Sequence, residues 1–137
     1  MALECQIIHE LEPAVPMTCA NGTAIPKGSV IKITDPNTAL ITNGDTDPVA
    51  GIAAEEKIAS DGKTMIGVYR RGIFKGFAGA AGVTAGSSII TDTATGDVNE
   101  LVNSDVNSEH VAGRALESAT DTQSFLFELN PISMNLA

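Results

Sequence analysis

The sequence predicts an all-β fold, a small β-sandwich or β-barrel, and three observations indicate it. Val, Ile and Thr contribute 35 of the 137 residues whereas Leu contributes 8, and β-branched side chains suit a pleated strand better than a helix. Short alternating segments recur about every ten residues. The 13 Gly and 6 Pro supply the turns between these segments.

Residues 1–27 are predicted to form an extended N-terminal arm. Three prolines interrupt this segment, and Asn21-Gly22 is a turn signal. A short helix over Glu4–Leu11 is an alternative interpretation. An arm of this kind either adds a strand to its own sheet or reaches a neighbouring subunit.

Residues 28–137 are predicted to form a single β-rich domain. Alternation is clearest where Ile31 and Ile33 share one face of a strand. The predicted strands, in chain order, are Ser29–Thr34, Ala39–Thr42, Val49–Ala54, Met65–Tyr69, Ile73–Phe77, Ser88–Thr91, Val98–Val102, Val111–Leu116 and Ser124–Leu129. One short helix is an alternative at Ala53–Ala59 or at Asn103–Glu109, where the residue types also permit helix.

A faint internal duplication is predicted between residues 28–77 and 86–129. Each half has a Gly-Ser turn leading into a strand, then a Val-Ala-Gly strand, then a strand with an aromatic residue. The matched segments are Ile25–Lys32 with Val83–Ile90, Val49–Glu55 with Val111–Glu117, and Val68-Tyr69 with Leu126-Phe127, at offsets of 58, 62 and 58 residues. Such a repeat indicates a supersecondary unit that packs against its own copy.

Charge and hydropathy exclude two classes of partner. The formal net charge is -9 and the pI about 4.4, whereas nucleic-acid binding requires a surplus of clustered cations. No apolar run approaches the roughly 20 residues that cross a bilayer, and the first residues lack the charge and apolar pattern of a signal peptide. We therefore expect no nucleic acid or membrane partner, and synthesis in a reducing cytoplasm.

The residues that commonly carry chemistry form no recognised site. Cys5 and Cys19 with His9 and His110 do not have the spacing of a zinc finger, knuckle or ribbon. A disulfide between the two cysteines is disfavoured, because small disulfide scaffolds carry more cysteines. Asp45-Thr46-Asp47 lacks the Gly and Glu of a calcium loop. We therefore predict no catalytic residues, no cofactor and no metal.

The cations are distributed unevenly. Lys63, Arg70, Arg71 and Lys75 are half of all the cations and lie within 13 residues. They form either a solvated loop with local salt bridges or a patch complementary to an acidic partner, which includes another copy of this chain.

Six segments across residues 25–129 carry a resemblance to a known family: IPKGSVIKIT, DPVAGIAAEEK, GKTMIGVYRRGIFKGFAG, VTAGSSIITD, HVAGRALESAT and SFLFEL. They resemble tailed-bacteriophage capsid decoration (cement) proteins. The resemblance implies a β-tulip-like fold and a non-enzymatic structural protein that binds the outer face of a capsid, commonly as a trimer. It also implies that the arm engages the shell or a neighbour.

The expected partners are therefore the major capsid protein and other copies of this chain, as a homotrimer, on the outer surface of a virion assembled in a host cytoplasm. The residues expected to make these contacts are four arm side chains and three cations: Leu3, Ile7, Ile8, Leu11, Arg70, Arg71 and Lys75.

Two alternatives come from other classes of protein. Another virion module, such as a head fibre base, a tail module or a glycan-binding adhesin, shares this composition. However, glycan binders expose aromatic rings, and all five aromatic residues here fall in predicted strands. A swinging-arm carrier needs a lysine at a hairpin tip, but Lys57 and Lys63 lack the Met-Lys context of such carriers.

Overall fold

A computed structural model of the chain describes residues 3–44, 47–92, 99–104 and 110–133, which form strands and connections and no helix. About 53% of the chain is strand, so the predicted all-β class is confirmed. The strands are β1 Gln6–Glu10, β2 Val15–Thr18, β3 Val30–Thr34, β4 Thr38–Ile41, β5 Val49–Ala53, β6 Met65–Tyr69, β7 Gly72–Ala78, β8 Ser88–Thr91, β9 Glu100–Asn103, β10 His110–Ala115 and β11 Ser124–Ser133. A helix of a length and apolarity that could cross a membrane is absent from the described ranges.

The first half of the chain closes into a five-stranded barrel in the order β2-β4-β3-β5-β6. Its neighbouring strands are antiparallel except β2 and β4, which meet in parallel at Thr18 and Thr38. Closure removes most of the free edges that an open sheet of this size would present.

The second half forms a six-stranded sheet in the order β1-β7-β11-β10-β8-β9. Strand β9 also pairs with β7 in parallel, at Phe77 with Glu100 and Ala78 with Leu101. The five strands β7 to β11 therefore close on themselves as the barrel strands do, and β1 lies beside the first part of β7 as an additional edge strand.

The predicted arm is divided between the two sheets. Strand β1 pairs with β7, and β2 completes the barrel. Met17, Cys19 and Ile25 are buried in the barrel interior. Of the two roles predicted for the arm, the structure therefore shows strand addition within the same chain, because apolar side chains in this segment find their burial there.

The alternative helices have different outcomes. The helix over Glu4–Leu11 is wrong, because Gln6–Glu10 within it is β1. The helix over Ala53–Ala59 is also wrong, because β5 ends at Ala53 and Lys57 then makes an isolated β-bridge with Ile25. Most of Asn103–Glu109 lies outside the described residues.

Two apolar clusters fill the interior. One lies in the barrel, contains Met17, Ile31 and Ile66, and has no aromatic ring. The other is built around Phe74 and Phe127 and also takes in side chains from the barrel strands. These barrel contributions are Val30, Val49 and Ile52. The two halves therefore share a core, although their sheets are separate.

The two halves have corresponding backbone features at offsets of 58 and 62 residues. Residues with positive φ recur as pairs: Gly28 with Gly86, Asn37 with Asn99, and Ser60 with Thr122. The bridge from Ile25 to Lys57 corresponds to that from Val83 to Ala119. These correspondences support the duplication of residues 28–77 and 86–129, which stays a prediction.

Candidate binding surface

The four predicted arm contacts lie at very different depths. Leu3 is 1% exposed, so it belongs to the interior and is not available to a partner. Ile7 is half-buried and packs against the aromatic cluster. Ile8 is 41% exposed, and Leu11, just after β1, is 52% exposed. Ile8 and Leu11 are therefore the arm side chains that a partner would meet first.

The three predicted cationic contacts lie on or just before β7. Arg70 and Arg71 connect β6 to β7 and are half-buried, while Lys75 is exposed in the middle of β7. The junction is where the chain leaves the barrel for the second sheet. Both arginines are therefore anchored between two sheets rather than carried on a long loop.

The structure brings the arm and the cations together along one ribbon. Strand β1 is antiparallel to β7, with Gln6 opposite Lys75 and Glu10 opposite Gly72. Beyond Glu10, the Glu12 carboxylate lies 4.0 Å from an Arg71 Nη atom. We call the exposed part of this ribbon the β1–β7 surface, defined by Ile8, Leu11, Arg70, Arg71 and Lys75. The arm and the cations are about 60 residues apart in the sequence, so the sequence alone did not predict that they lie side by side.

Sequence reasoning missed the acidic side chains around this surface. Glu128 on β11 lies 4.0 Å from Arg71 and 3.7 Å from Arg114. Alternation along the predicted strand indicated that Glu128 lies on the outward face, opposite to Phe127. It did not indicate which side chains lie beside Glu128. Ion pairs of this length between exposed side chains contribute little to stability, so they leave the cations available.

A cleft of about 290 Å³ opens beside the two arginines, where the barrel meets the second sheet. Its lining contains both charged side chains and an apolar floor, and comes from both halves of the chain. The lining residues are Glu12, Ile33, Val49, Ala50, Arg70, Arg71, Asn130 and Pro131. The predicted strand Ser124–Leu129 ends before Asn130, so the sequence gave no sign of this part of the lining.

The cysteines and histidines are dispersed. Cys5 and Cys19 are buried free thiols, and burial, followed by the charge of Glu4, raises the pKa of Cys5 to about 12. His110 shares a 2.8 Å hydrogen bond between Nδ1 and Ser133 Oγ, and His9 lies on β1. Within the described ranges, no group of three or more His, Cys, Asp or Glu side chains is placed to hold a metal. Asp45 of the predicted Asp45-Thr46-Asp47 motif lies outside those ranges.

The most buried charge is Lys57, in the turn after β5. Its Nζ atom donates to the Asn21 and Ile58 carbonyl oxygens, at 2.7 Å each, and lies 2.8 Å from Asp61 Oδ1. All three ammonium protons therefore have an acceptor. The hydrogen bond from Lys57, with further bonds from the backbone, lowers the pKa of Asp61 to about 2. This arrangement holds a turn in place and leaves no donor for a ligand.

The aromatic rings serve the core. Phe74, Phe125 and Phe127 are buried, and the Phe127 ring contacts the other two, with its centroid 6.0 Å from that of Phe74 and 5.6 Å from that of Phe125. Tyr69 is half-buried against Phe74, and Phe77 is half-buried on the outer face of β7. A sugar-stacking platform requires rings that face solvent, so this placement disfavours the glycan-binding alternative.

The chain is a small all-β protein, and five of its seven predicted contact residues lie together on one exposed ribbon. The chain belongs to the phage cement protein family, whose family model matches residues 8–129. A comparison with curated proteins gives no match. Family membership gives the chain a structural role in association with a bacteriophage capsid.

Proposed function

We propose that this protein binds the outer surface of a bacteriophage capsid as a homotrimer and stabilises the shell, without catalysis. The β1–β7 surface carries the contact with the major capsid protein or with a neighbouring copy. The observation that supports this assignment most directly is the pairing of β1 with β7. It joins the exposed apolar arm residues to the basic cluster, although they are far apart in sequence.

The mechanism is additive binding energy. Each copy covers a modest area at a seam between capsid subunits, and a symmetric array multiplies this contribution over the shell. Exposed Ile8 and Leu11 supply apolar area at the contact, while Arg70, Arg71 and Lys75 supply complementarity to acidic groups. The net charge of -9 fits an outer location, where the protein does not meet packaged DNA.

The test is binding of the purified protein to expanded phage heads, followed by heating of the decorated and bare particles. We expect decorated heads to release DNA at a higher temperature than bare heads. The complex should contain three copies per site in a reconstruction. Absence of binding to the heads would overturn the proposed function.

Point substitutions test the assigned surface, because deletion of the arm would remove β2 and buried side chains from the barrel. We expect I8S combined with L11S to weaken binding to heads about tenfold, since two apolar anchors are lost. The matched control is I58S, which removes an apolar side chain that is 64% exposed in the barrel turn. Equal affinity of the double variant and the control would move the contact to another face.

A further inference from the structure

Two consecutive arginines line the cleft between the barrel and the second sheet, and their side chains lack hydrogen-bond acceptors among the described residues. The Arg70 side chain has neither an ion pair nor a hydrogen-bond partner among these residues, although Arg70 is half-buried. Arg71 has only Glu12 and Glu128, each at 4.0 Å, which is beyond hydrogen-bond length. The Nε atoms of both arginines are buried without an acceptor.

This arrangement is unfavourable for the isolated protein. A buried N–H without an acceptor loses its hydration and gains nothing in return, and the cost is larger for a charged group. Arginine is strongly favoured where a planar anion accepts two parallel hydrogen bonds from the guanidinium fork. Two arginines without acceptors in the lining of one cleft therefore indicate a site for a carboxylate or a group of similar charge and shape.

The other walls of the cleft select among anions. Ile33, Val49 and Ala50 form an apolar floor on the barrel side, and Asn130 with Pro131 lines the opposite side. A small inorganic anion would leave this floor exposed to water. An acidic side chain carried on a polypeptide can place its carboxylate on the arginines and its methylene groups, with a neighbouring residue, on the apolar floor.

We propose that this cleft binds an aspartate or glutamate side chain of the partner protein to which the β1–β7 surface docks. The inference deepens the proposed function, because it names the chemistry that the contact recognises. When the acidic side chain enters, each guanidinium turns so that its Nε–H and one Nη–H donate to the carboxylate oxygens. Glu12 and Glu128 hold Arg71 nearby by charge without occupying its fork.

The first experiment uses the isolated protein, so its result does not depend on the capsid. The chain has three arginines, Arg70, Arg71 and Arg114, so its Nε–H signals can be followed individually by NMR. The probe is the blocked tripeptide acetyl-Ala-Glu-Ala-amide, with acetyl-Ala-Gln-Ala-amide and inorganic phosphate as comparison ligands. Arg114, which is 62% exposed, is the internal reference.

We expect saturable shifts of the Arg70 and Arg71 signals with the glutamyl peptide, at concentrations of the order of millimolar for one side-chain contact. The glutaminyl peptide should cause no saturable shift. Shifts at Arg70 and Arg71 no larger than at Arg114 would overturn the proposal. A response to phosphate without a response to the glutamyl peptide would also overturn it, since the cleft would then be a site for a free anion.

The second experiment measures the affinity for expanded heads. We expect R70Q with R71Q to bind heads at least about tenfold more weakly than the unsubstituted protein. R70K with R71K should restore less than half of the lost binding free energy, because lysine keeps the charge but lacks the planar fork. The control K27Q with K63Q removes two exposed positive charges that have no ion pair to Glu12 or Glu128, and it should change affinity less than about twofold.

The two proposals fail in different ways. If the unsubstituted protein does not bind heads, the proposed function is wrong and the peptide titration alone decides the chemistry of the cleft. If it binds heads and the R70Q, R71Q protein binds as well as the charge control, the inference about the cleft is wrong while the function stands. Thermal unfolding of every variant excludes loss of fold as the cause.

Discussion

The barrel and the second sheet reach the same backbone arrangement with different side chains. In the barrel, the turn after β5 is held by buried Lys57 and its contact with Asp61. At the corresponding turn after β10, Ala119 replaces the lysine, and the Gln123 side chain accepts hydrogen bonds from the backbone and hydroxyl of Thr120. The backbone N–H groups of such a turn must have acceptors. A carboxylate that is paired with a lysine accepts in the barrel turn, and a neutral amide accepts in the turn after β10.

The close approach of two strands at a glycine recurs in both halves. A Cβ atom added at Gly51 would lie 1.9 Å from the Tyr69 carbonyl oxygen, and one added at Gly113 would lie 1.9 Å from that of Glu128. Glycine is required at both positions because two strands approach closely there. Close strand approach and turn position therefore recur in the two halves, whereas the side chains that stabilise the two turns differ.

The largest expected effect tests whether the halves are one cooperative unit. Phe127 is buried and contacts both Phe74 and Phe125. Phe127→Ala should lower the free energy of unfolding by about 3–5 kcal/mol, with barrel and sheet unfolding in one transition because their core is shared. Calorimetry with denaturant unfolding measures this effect. Phe77→Ala, at a half-buried ring, is the control and should lower the free energy of unfolding by about 1–2 kcal/mol. A barrel that unfolds in a separate transition would contradict the prediction.

The next effect compares the two turns directly. Lys57→Met leaves the Asn21 and Ile58 carbonyl oxygens without their donor and Asp61 without its cation, so we expect a loss of about 2–4 kcal/mol. Gln123→Ala removes an exposed acceptor from the corresponding turn and should cost less than about 1 kcal/mol. Urea unfolding of both variants gives the difference. Equal losses would show that the Lys57–Asp61 ion pair stabilises its turn no more than the Gln123 hydrogen bonds stabilise theirs.

A smaller effect should be shared by both halves. Gly51→Ala and Gly113→Ala each place a methyl group against a carbonyl oxygen on the neighbouring strand, and relief requires the strands to separate slightly. We expect each to cost about 1–3 kcal/mol, measured by urea unfolding. Gly22→Ala is the control, because an added Cβ there meets nothing within 4 Å. A loss at either position no larger than that of the control would contradict the close approach of the strands.

The smallest effect is a pH dependence confined to the barrel turn. The pKa of Asp61 in the folded protein is about 2, below its ordinary value of 3.8. Its ionised form therefore stabilises the fold above about pH 4, and this contribution is lost as the pH falls through about 2. Asp61→Asn should lower stability at pH 6 more than at pH 2, measured by thermal unfolding. A pH-independent difference would exclude the carboxylate as the source.

Regular strands were predictable from short runs of apolar and β-branched residues between turn signals, and in β6 the burial also alternates. The bounds of β6 at Met65–Tyr69 and β8 at Ser88–Thr91 agree with the prediction. Strand β2 was missed because Pro16 lies within it. Thr18 directs its N–H toward Asn37 rather than β6, and alternation then places the Pro16 nitrogen on that same side, where β6 needs no donor.

The sequence indicates only the chemical types of the proposed contact residues, and their contact with a partner stays a prediction. The density of cations around Arg70 and Arg71 is visible in the sequence, but the cleft beside them also needs Ile33 and Asn130, which tertiary structure alone brings near. Leu3 has the same apolar character as Leu11, yet one is interior and the other exposed. Local sequence cannot distinguish them, because their burial depends on strands that follow tens of residues later.

The pairing of β1 with β7 also has a consequence for the order of synthesis. The ribosome produces Gln6–Glu10 first, but its partner Gly72–Lys75 emerges more than 60 residues later. The nascent chain therefore carries Ile7 without its partner strand while more than 60 further residues are synthesised. Such an interval favours premature association between neighbouring nascent chains. A slow stretch of translation after residue 75 would give the first strand time to find its own partner.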